Sequence, residues 1–489
     1  MLKKYFISLI FLVFSIQIGT FQKVAEAQTV VPKVTTSKSL CPDQLSSTIN
    51  TIINQPQFSR GRWGILIKTL SSNKILYSQD SQKYFIPASN IKLFTTAVAL
   101  QKLGSDFRIR TSIYDDGNGI LRVVGRGDPS FKNPQLVLLA KQLYQRGIRE
   151  INQLIADDSY LQGEVVHSSW EWEDIQADYG APVNSLILNE NASGLSFSPQ
   201  NIGQPLQIKW TEPTEAYQWK IENNTITTQA NKPGFVEINR DLKGQILRIK
   251  GQLAVNSQPE ITAIAVFDPI SNFLKQFRHN LITAGINVKE TVINNLNLNK
   301  NGQEIAAVES PPLSELLIET NVNSNNLYAE ALLRSLAIKK PREVNQNTAD
   351  IGLQIIKETL TQLGVEPESY VIVDGSGLSR KNLTTPAALV QLLEAIDESP
   401  QREIFRASLP IAGVKGSLKN RLINTDAMGI VQGKTGSMTG VSALSGYINS
   451  ANYEPLVFSI IVNQSEQPSK IVRTAIDEIV VLLAQLKRC

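Results

Sequence analysis

Ser89-Asn90-Ile91-Lys92-Leu93-Phe94-Thr95-Thr96-Ala97-Val98-Ala99-Leu100-Gln101-Lys102-Leu103-Gly104 is the stretch on which the reading of this chain turns. Ile91, Phe94, Val98 and Leu103 share one side of a helical period, and Gly104 supplies a C-terminal cap. The spacing predicts a helix over Ser89–Leu103. Ser89 and Lys92, three apart at its start, lie on the same face. A serine hydroxyl is a weak nucleophile until a base takes its proton. A lysine amine becomes such a base when burial or a neighbouring positive charge lowers its pKa. The helix N-terminus adds partial positive charge beside the attacking oxygen. The spacing alone decides nothing. Ser71-Ser72-Asn73-Lys74 repeats it between two expected strands, Trp63–Leu70 and Lys74–Tyr77, where a solvated hairpin tip explains it better.

Two further triplets carry chemistry. In Ser324-Asn325-Asn326 a second hydroxyl can relay a proton and an amide can hold a substrate carbonyl. A helix N-cap explains the same triplet equally well, because Leu327-Tyr328-Ala329-Glu330 continues helically. Ser-x-Asn also occurs at Ser71 and Ser450. Lys434-Thr435-Gly436 occurs once, on an expected strand followed by Ser437 and Gly440. A lysine and a threonine hydroxyl side by side make a receptor for a terminal carboxylate. Gly436 would let substrate backbone approach, and a main-chain N–H after it could complete an oxyanion hole. The competing reading is an exposed edge strand with a solvated lysine.

Composition narrows the chemistry. The chain has 489 residues, 42% hydrophobic and 19% charged, which describes a globular protein of two or three domains. Its two histidines, His167 and His279, and two cysteines, Cys41 and Cys489, are too few and badly spaced for a Cys/His zinc site. No metal or other cofactor is expected. A hydrolase built from this chain is expected to use a base other than histidine. The formal net charge of +4 gives no reason to expect a nucleic-acid partner.

The N-terminus reads as a secretory signal over residues 1–27: Lys3 and Lys4, an apolar run from Tyr5 to Ile18, then Ala25-Glu26-Ala27. The run is short for a membrane span, which needs about 20 apolar residues. The mature chain is therefore expected in the periplasm or cell-wall space, with no transmembrane segment after the signal. A Pro/Thr/Ser-rich linker follows. Leu45–Ile53 reads as a helix. Beyond the first helix pair the texture changes to short β-like runs, such as Leu121–Val124, Leu206–Trp210 and Gln245–Ile249, separated by turns. Helical character returns at Phe267–Leu281, Leu313–Glu319 and Leu327–Ala337. Strands are expected at Ser442–Ile448 and Leu456–Val462. In Ile471–Leu486 the stripe Val472, Ala475, Ile476, Ile479, Leu483 and Leu486 predicts a helix packed on a sheet.

Ser-x-x-Lys, Ser-x-Asn and Lys-Thr-Gly in that order mark β-lactamases and penicillin-binding proteins. The sequence resembles the class C penicillin-binding proteins, the type 4 serine D-alanyl-D-alanine carboxypeptidases and endopeptidases. The long gap between Ser89 and Ser324 looks like that family's insertion. Gly125-Arg126-Gly127-Asp128-Pro129-Ser130, Asp157-Asp158-Ser159, Tyr179-Gly180-Ala181-Pro182-Val183-Asn184 and Asp374-Gly375-Ser376-Gly377-Leu378-Ser379 resemble its further signatures. Asn325 stands where the family often has Asp.

The resemblance implies an α/β (α+β) fold. A penicillin-binding/β-lactamase-like domain, an antiparallel sheet covered by helices, takes residues 28–109 and 296–489. A β-rich insertion, expected to form two subdomains, takes residues 110–295. The implied catalytic residues are Ser89, Lys92, Ser324, Asn326 and Lys434. Thr435, Gly436 and Ser437 bind substrate, with the N–H groups of Ser89 and Ser437 as oxyanion hole. Asp174, Tyr179, Met438 and Thr439 match positions that hold the amino end of a diaminopimelic side chain. Asp174 fits an acidic surface run with Glu171 and Glu173 as well. The implied partners are peptidoglycan peptides and β-lactam inhibitors. Packing of the first helix beside the last would bring Cys41 near Cys489, and their pairing is left open. A β-lactamase-like hydrolase and an inactive cell-wall-binding protein are the alternatives. No Glu-x-x-Leu-Asn stretch supplies a deacylating base of the compact β-lactamase kind.

Overall fold

The computed structural model describes residues 39–241, 245–294, 302–341 and 346–489. The expected signal over residues 1–27 lies outside them.

The strands Val441–Ile448 and Leu456–Asn463 are apolar along almost their whole length and buried throughout. Such strands need cover on both faces. They sit inside a five-stranded antiparallel sheet in the order Val431–Met438, Val441–Ile448, Leu456–Asn463, Arg62–Thr69, Ile75–Gln79. Side chains alternate between two cores, as the pleat requires. Val457 and Ile461 join Phe94, Leu332 and Leu389 under the helices Ile91–Leu103, Asn326–Ser335 and Pro386–Asp397. Phe458, Ile460 and Val462 join Leu45, Ile49, Ile476 and Ile479 under the helices Pro42–Ile53 and Ser469–Ala484. The stripe from Val472 to Leu486 is buried on the sheet as expected.

The first and last helices lie together, and Leu40 N donates to Gln485 O at 2.9 Å while Lys487 N donates to Leu40 O at 3.1 Å. Beside that bridge Cys41 and Cys489 form a disulfide with their Cα atoms 5.8 Å apart. The tip at Ser71-Ser72-Asn73-Lys74 is an exposed turn, and Asn73 is left-handed with φ 58°.

Between the first two motifs the chain builds three more sheets. Two are three-stranded, one of them carrying the expected Leu206–Trp210 run as the strand Gln207–Trp210. The third orders Asn287–Asn294, Glu150–Asp157, Ile120–Val124, Arg110–Asp115 and Gln303–Glu309. Its pairings of Glu150–Asp157 with both neighbours are parallel, so the chain must cross over between them. The helix Asn133–Gln145 makes one crossover, burying Leu136, Leu139, Ala140 and Leu143. That i, i+3, i+4, i+7 pattern was present in the sequence, but the surrounding turn residues masked it. The insertion is therefore a strand–helix unit as well as β-rich. Its signature stretches converge. Asp158 accepts from Ser185 N at 2.8 Å and Leu186 N at 3.0 Å, and a Cβ on Gly125 would stand 2.0 Å from Ser185 O.

The disulfide closes nearly the whole chain into one loop. In the chain-entropy model this closure favours the folded state by about 4–5 kcal/mol or more, and realised gains are often smaller. The Cys41→Ser/Cys489→Ser variant is expected to melt several degrees below the oxidised protein in a calorimetric scan. Equal midpoints would show that the chain ends contribute nothing to stability.

Candidate active site

Ser89 sits in a tight turn, Ala88–Asn90, that runs into the helix Ile91–Leu103. Ala88 is left-handed at φ 48°, a conformation a residue with a Cβ adopts only when its surroundings impose it. Two glycines make room for the turn. A Cβ on Gly377 would stand 2.0 Å from Ala88 O, and one on Gly436 would stand 2.5 Å from Pro87 O. Gly436 was expected to admit substrate backbone. The backbone it admits here is that of the serine turn itself. Asn90 pins the other side of the turn, donating to Ser445 Oγ at 3.2 Å inside the sheet.

Lys92 is fully buried, and its Nζ donates to Ser89 Oγ at 3.0 Å, Asn326 Oδ1 at 2.5 Å and Ser376 O at 2.7 Å. Loss of water disfavours the ammonium and lowers its pKa to about 7, against the opposing pull of Asp374 and Glu330. Lys434 is buried too and donates to Ser324 Oγ at 2.8 Å and to Thr435 O at 3.0 Å. Burial first, and the Lys92 charge second, hold its pKa well below the usual lysine range. The three sequence motifs thus meet through two amines, one on each serine.

The Ser324 triplet contains the expected helix N-cap and sets Ser324 and Asn326 against the two buried amines. Asn325 is the helix N-cap, accepting from Tyr328 N at 3.2 Å and donating to Glu190 Oε2 at 2.8 Å. Ser324 is left-handed at φ 59° and turns its hydroxyl to Lys434. Asn326 accepts from Lys92 through Oδ1 and donates from Nδ2 to Tyr179 O at 2.8 Å, which ties the motif to the insertion.

Sequence reasoning missed the support beneath Lys92. Glu330 Oε1 accepts from Gly375 N at 2.8 Å and Ser376 N at 2.9 Å, while Glu330 Oε2 accepts from Arg334 Nη1 at 2.8 Å. Asp374, fully buried, accepts from Gly377 N at 2.7 Å, Ser379 N at 2.7 Å, Asn382 Nδ2 at 2.8 Å and Trp170 Nε1 at 3.0 Å. These carboxylates fix the loop whose Ser376 carbonyl receives the Lys92 amine. A glutamate and an arginine four apart in an otherwise apolar helix, Glu330 and Arg334, were the available signal.

Ser89, Ser324, Asn326, Ser437, Met438 and Thr439 line one cavity with Asp174, Tyr179, Glu171, Leu378 and Arg380. Tyr179 Oη donates to Asp174 Oδ1 at 3.2 Å. Partial desolvation raises the Asp174 carboxyl, and desolvation with the Asp174 charge pushes the Tyr179 phenol up to about 12. Arg380 Nε pairs with Glu171 Oε1 at 3.0 Å, and both its terminal nitrogens donate to Thr439 O at 3.2 Å. Among the described residues neither histidine hydrogen-bonds to Ser89, Ser324, Lys92 or Lys434. His167 Nδ1 meets Ser169 Oγ at 2.8 Å, and His279 lies in the helix Pro269–Thr283 of the insertion.

A family model described as D-Ala-D-Ala carboxypeptidase 3 (S13) matches residues 45–486. The chain is 31% identical over 479 residues to the penicillin-sensitive carboxypeptidase A of Dictyostelium discoideum, covering 89% of this chain and 91% of that protein. It is 31% identical over 463 residues to a D-alanyl-D-alanine carboxypeptidase of an Actinomadura species, covering 90% of this chain and 85% of that protein. Among solved structures, penicillin binding protein 4 of Haemophilus influenzae superposes with a TM-score of 0.77 at 25% identity, over 89% of this chain and 98% of that one.

Only the neutral amine can take the Ser89 proton. The rate at which a β-lactam acylates the protein is therefore expected to rise with pH through an apparent pKa of about 7. Lys92→Ala is expected to cost several powers of ten, whereas His167→Gln with His279→Gln keeps the rate within about tenfold. A flat profile from about pH 6 to 8, or loss of acylation in the histidine variant, would contradict the assignment of the base.

Proposed function

The chain belongs to the D-Ala-D-Ala carboxypeptidase 3 (S13) family, and from that premise we propose that it is a serine-type D-alanyl-D-alanine carboxypeptidase/endopeptidase acting on peptidoglycan peptides through an acyl-enzyme. The observation that carries the reading is the buried Lys92 amine 3.0 Å from the Ser89 hydroxyl.

Ser89 Oγ attacks the penultimate carbonyl while Lys92 Nζ takes its proton. The N–H groups of Ser89 and Ser437 receive the oxyanion. Ser324, backed by Lys434, passes the proton taken by Lys92 on to the departing amine. Asn326 holds the acyl side chain, and Lys434 with Thr435 receives the terminal carboxylate. Water then releases the acyl group from Ser89. A β-lactam acylates the same serine, in keeping with the name of the penicillin-sensitive relative.

In this division of labour residues 28–109 and 296–489 carry the chemistry, and residues 110–295 help to choose the substrate. Residues 1–27 direct export, so that the enzyme meets its substrate in the periplasm or cell-wall space. Among the described residues no helix is long and apolar enough to cross a membrane. The pocket of Asp174, Tyr179, Met438 and Thr439 takes the acyl side chain. An ammonium at the end of that side chain would face the Asp174 carboxylate, with its methylene stem against Met438.

Fluorescent penicillin followed by mapping of the acylated peptide tests the nucleophile. Ser89→Ala is expected to abolish labelling with the fold intact, and Ser71→Ala to change nothing. Full labelling of the Ser89→Ala protein would end the reading. In the same assay series Asp174→Asn is expected to lower turnover of peptides whose side chain ends in a free amine, and to spare simple acyl-D-Ala-D-Ala compounds. Equal loss on both would assign Asp174 to folding or to the catalytic core.

A further inference from the structure

The strand that carries Lys434 and Thr435 has a hydroxyl neighbour that the motifs do not contain. Ser417 Oγ lies 2.6 Å from Thr435 Oγ1. The contact comes from a segment held on three sides. Gly433 N donates to Pro410 O at 3.1 Å, and Ala412 N donates to Val431 O at 3.1 Å, so residues 410–412 lie along the strand just before Lys434. Gly413 N donates to Leu418 O at 3.0 Å and closes the turn, with Leu418 buried beneath it. Gly416 adopts φ 67°, and a Cβ there would stand 2.6 Å from Val322 O, two residues before Ser324. The turn Gly416–Leu418 is thus wedged between the Ser324 loop and the Lys434 strand, with the Ser417 side chain exposed. The adjacent cation is turned away, since Lys415 Nζ donates to Ala407 O at 2.7 Å.

We propose that Ser417 is a positioning residue for recognition of the substrate's terminal carboxylate: its hydroxyl donates to Thr435 Oγ1 and leaves the Thr435 proton free for the carboxylate. The inference rests on the reading of Thr435 as part of the carboxylate receptor. A hydroxyl has one proton, and an oxygen that accepts from Ser417 has that proton to give. The opposite direction spends the Thr435 proton on Ser417 and presents lone pairs to an anion. A carboxylate therefore selects the order Ser417 to Thr435 to substrate, and each bond in such a chain strengthens the next. The terminal carboxylate is present in ground state and transition state alike. Losing Ser417 should therefore raise KM and leave kcat nearly unchanged.

Steady-state kinetics of the full chain on two substrates test this. One is an N-acyl-D-Ala-D-Ala peptide. The other is an N-acyl-D-alanine thioester with a neutral leaving thiol, which has no carboxylate at that place. Ser417→Ala is expected to raise KM for the peptide about 2- to 10-fold, the effect of one hydrogen bond, with kcat within about twofold and the thioester unaffected. Ser417→Thr, which keeps the hydroxyl, is expected to match the parent on both. An equal change on both substrates, or no change on the peptide, overturns the role of Ser417. Thr435→Ala separates the two levels of the argument. If it discriminates between the substrates and Ser417→Ala does not, only the Ser417 inference falls. If neither discriminates, the carboxylate receptor itself has been misassigned.

Discussion

A lysine amine shut away from water is the constraint around which the site is arranged. An unpaired ammonium in an apolar interior is costly enough that it normally loses its proton or finds a carboxylate. Among the described residues Lys92 finds no direct carboxylate. Its three partners are a hydroxyl, an amide oxygen and a backbone carbonyl. The nearby acids, Asp374 and Glu330, act from behind the loop they fix and only soften the loss of solvation. The result is an amine whose two protonation states are of similar free energy near neutrality. A second amine, Lys434, lies close enough to be felt and is lowered in turn. Two neighbouring buried amines resist being charged together, and a site that must first take a proton and then give one back is served by that balance.

The backbone around this amine is held by close approaches that a side chain would block. Gly377 and Gly436 clamp the Ser89 turn, and Gly416 lodges against the loop that ends in Ser324. The insertion is tied to the same framework. Trp170 Nε1 donates to Asp374, Asn326 donates to Tyr179 O, and Glu171 pairs with Arg380. A shift of the 171–180 segment would therefore reach Lys92 through Asn326 as well as through the 374–377 loop. The 171–180 segment and the Ser89–Lys92 pair thus share their mechanical supports.

The three motifs were legible because each places adjacent side chains whose chemistry is explicit in the residue names. The final helix was legible because Val472 to Leu486 repeats at helical spacing over a long run. The strand order and the support of Lys92 were not. Gly375, Ser376 and Gly377 act through main-chain groups, which any sequence possesses, and Glu330 gains its meaning only once the Asp374 loop folds onto it. Ser417 stands outside every motif and becomes a neighbour of Thr435 through tertiary packing. The helix Asn133–Gln145 has its signal in Leu136, Leu139, Ala140 and Leu143, but the short β-like runs on either side mask it. Gly436 was singled out for closeness to substrate backbone, and its closeness to Pro87 O, which depends on tertiary packing, asks the same thing of a glycine.

The account stands on the protonation of one side chain, and that can be observed without any substrate. Nitrogen-detected NMR of lysine-labelled protein, with Lys92→Met to assign the signal, follows the Lys92 Nζ resonance through a pH titration. The expected midpoint is about 7, lowered by the burial of Lys92 against the pull of Asp374 and Glu330. A midpoint in the ordinary lysine range, about 10.4, would mean that Lys92 is an ammonium at working pH and cannot be the base for Ser89.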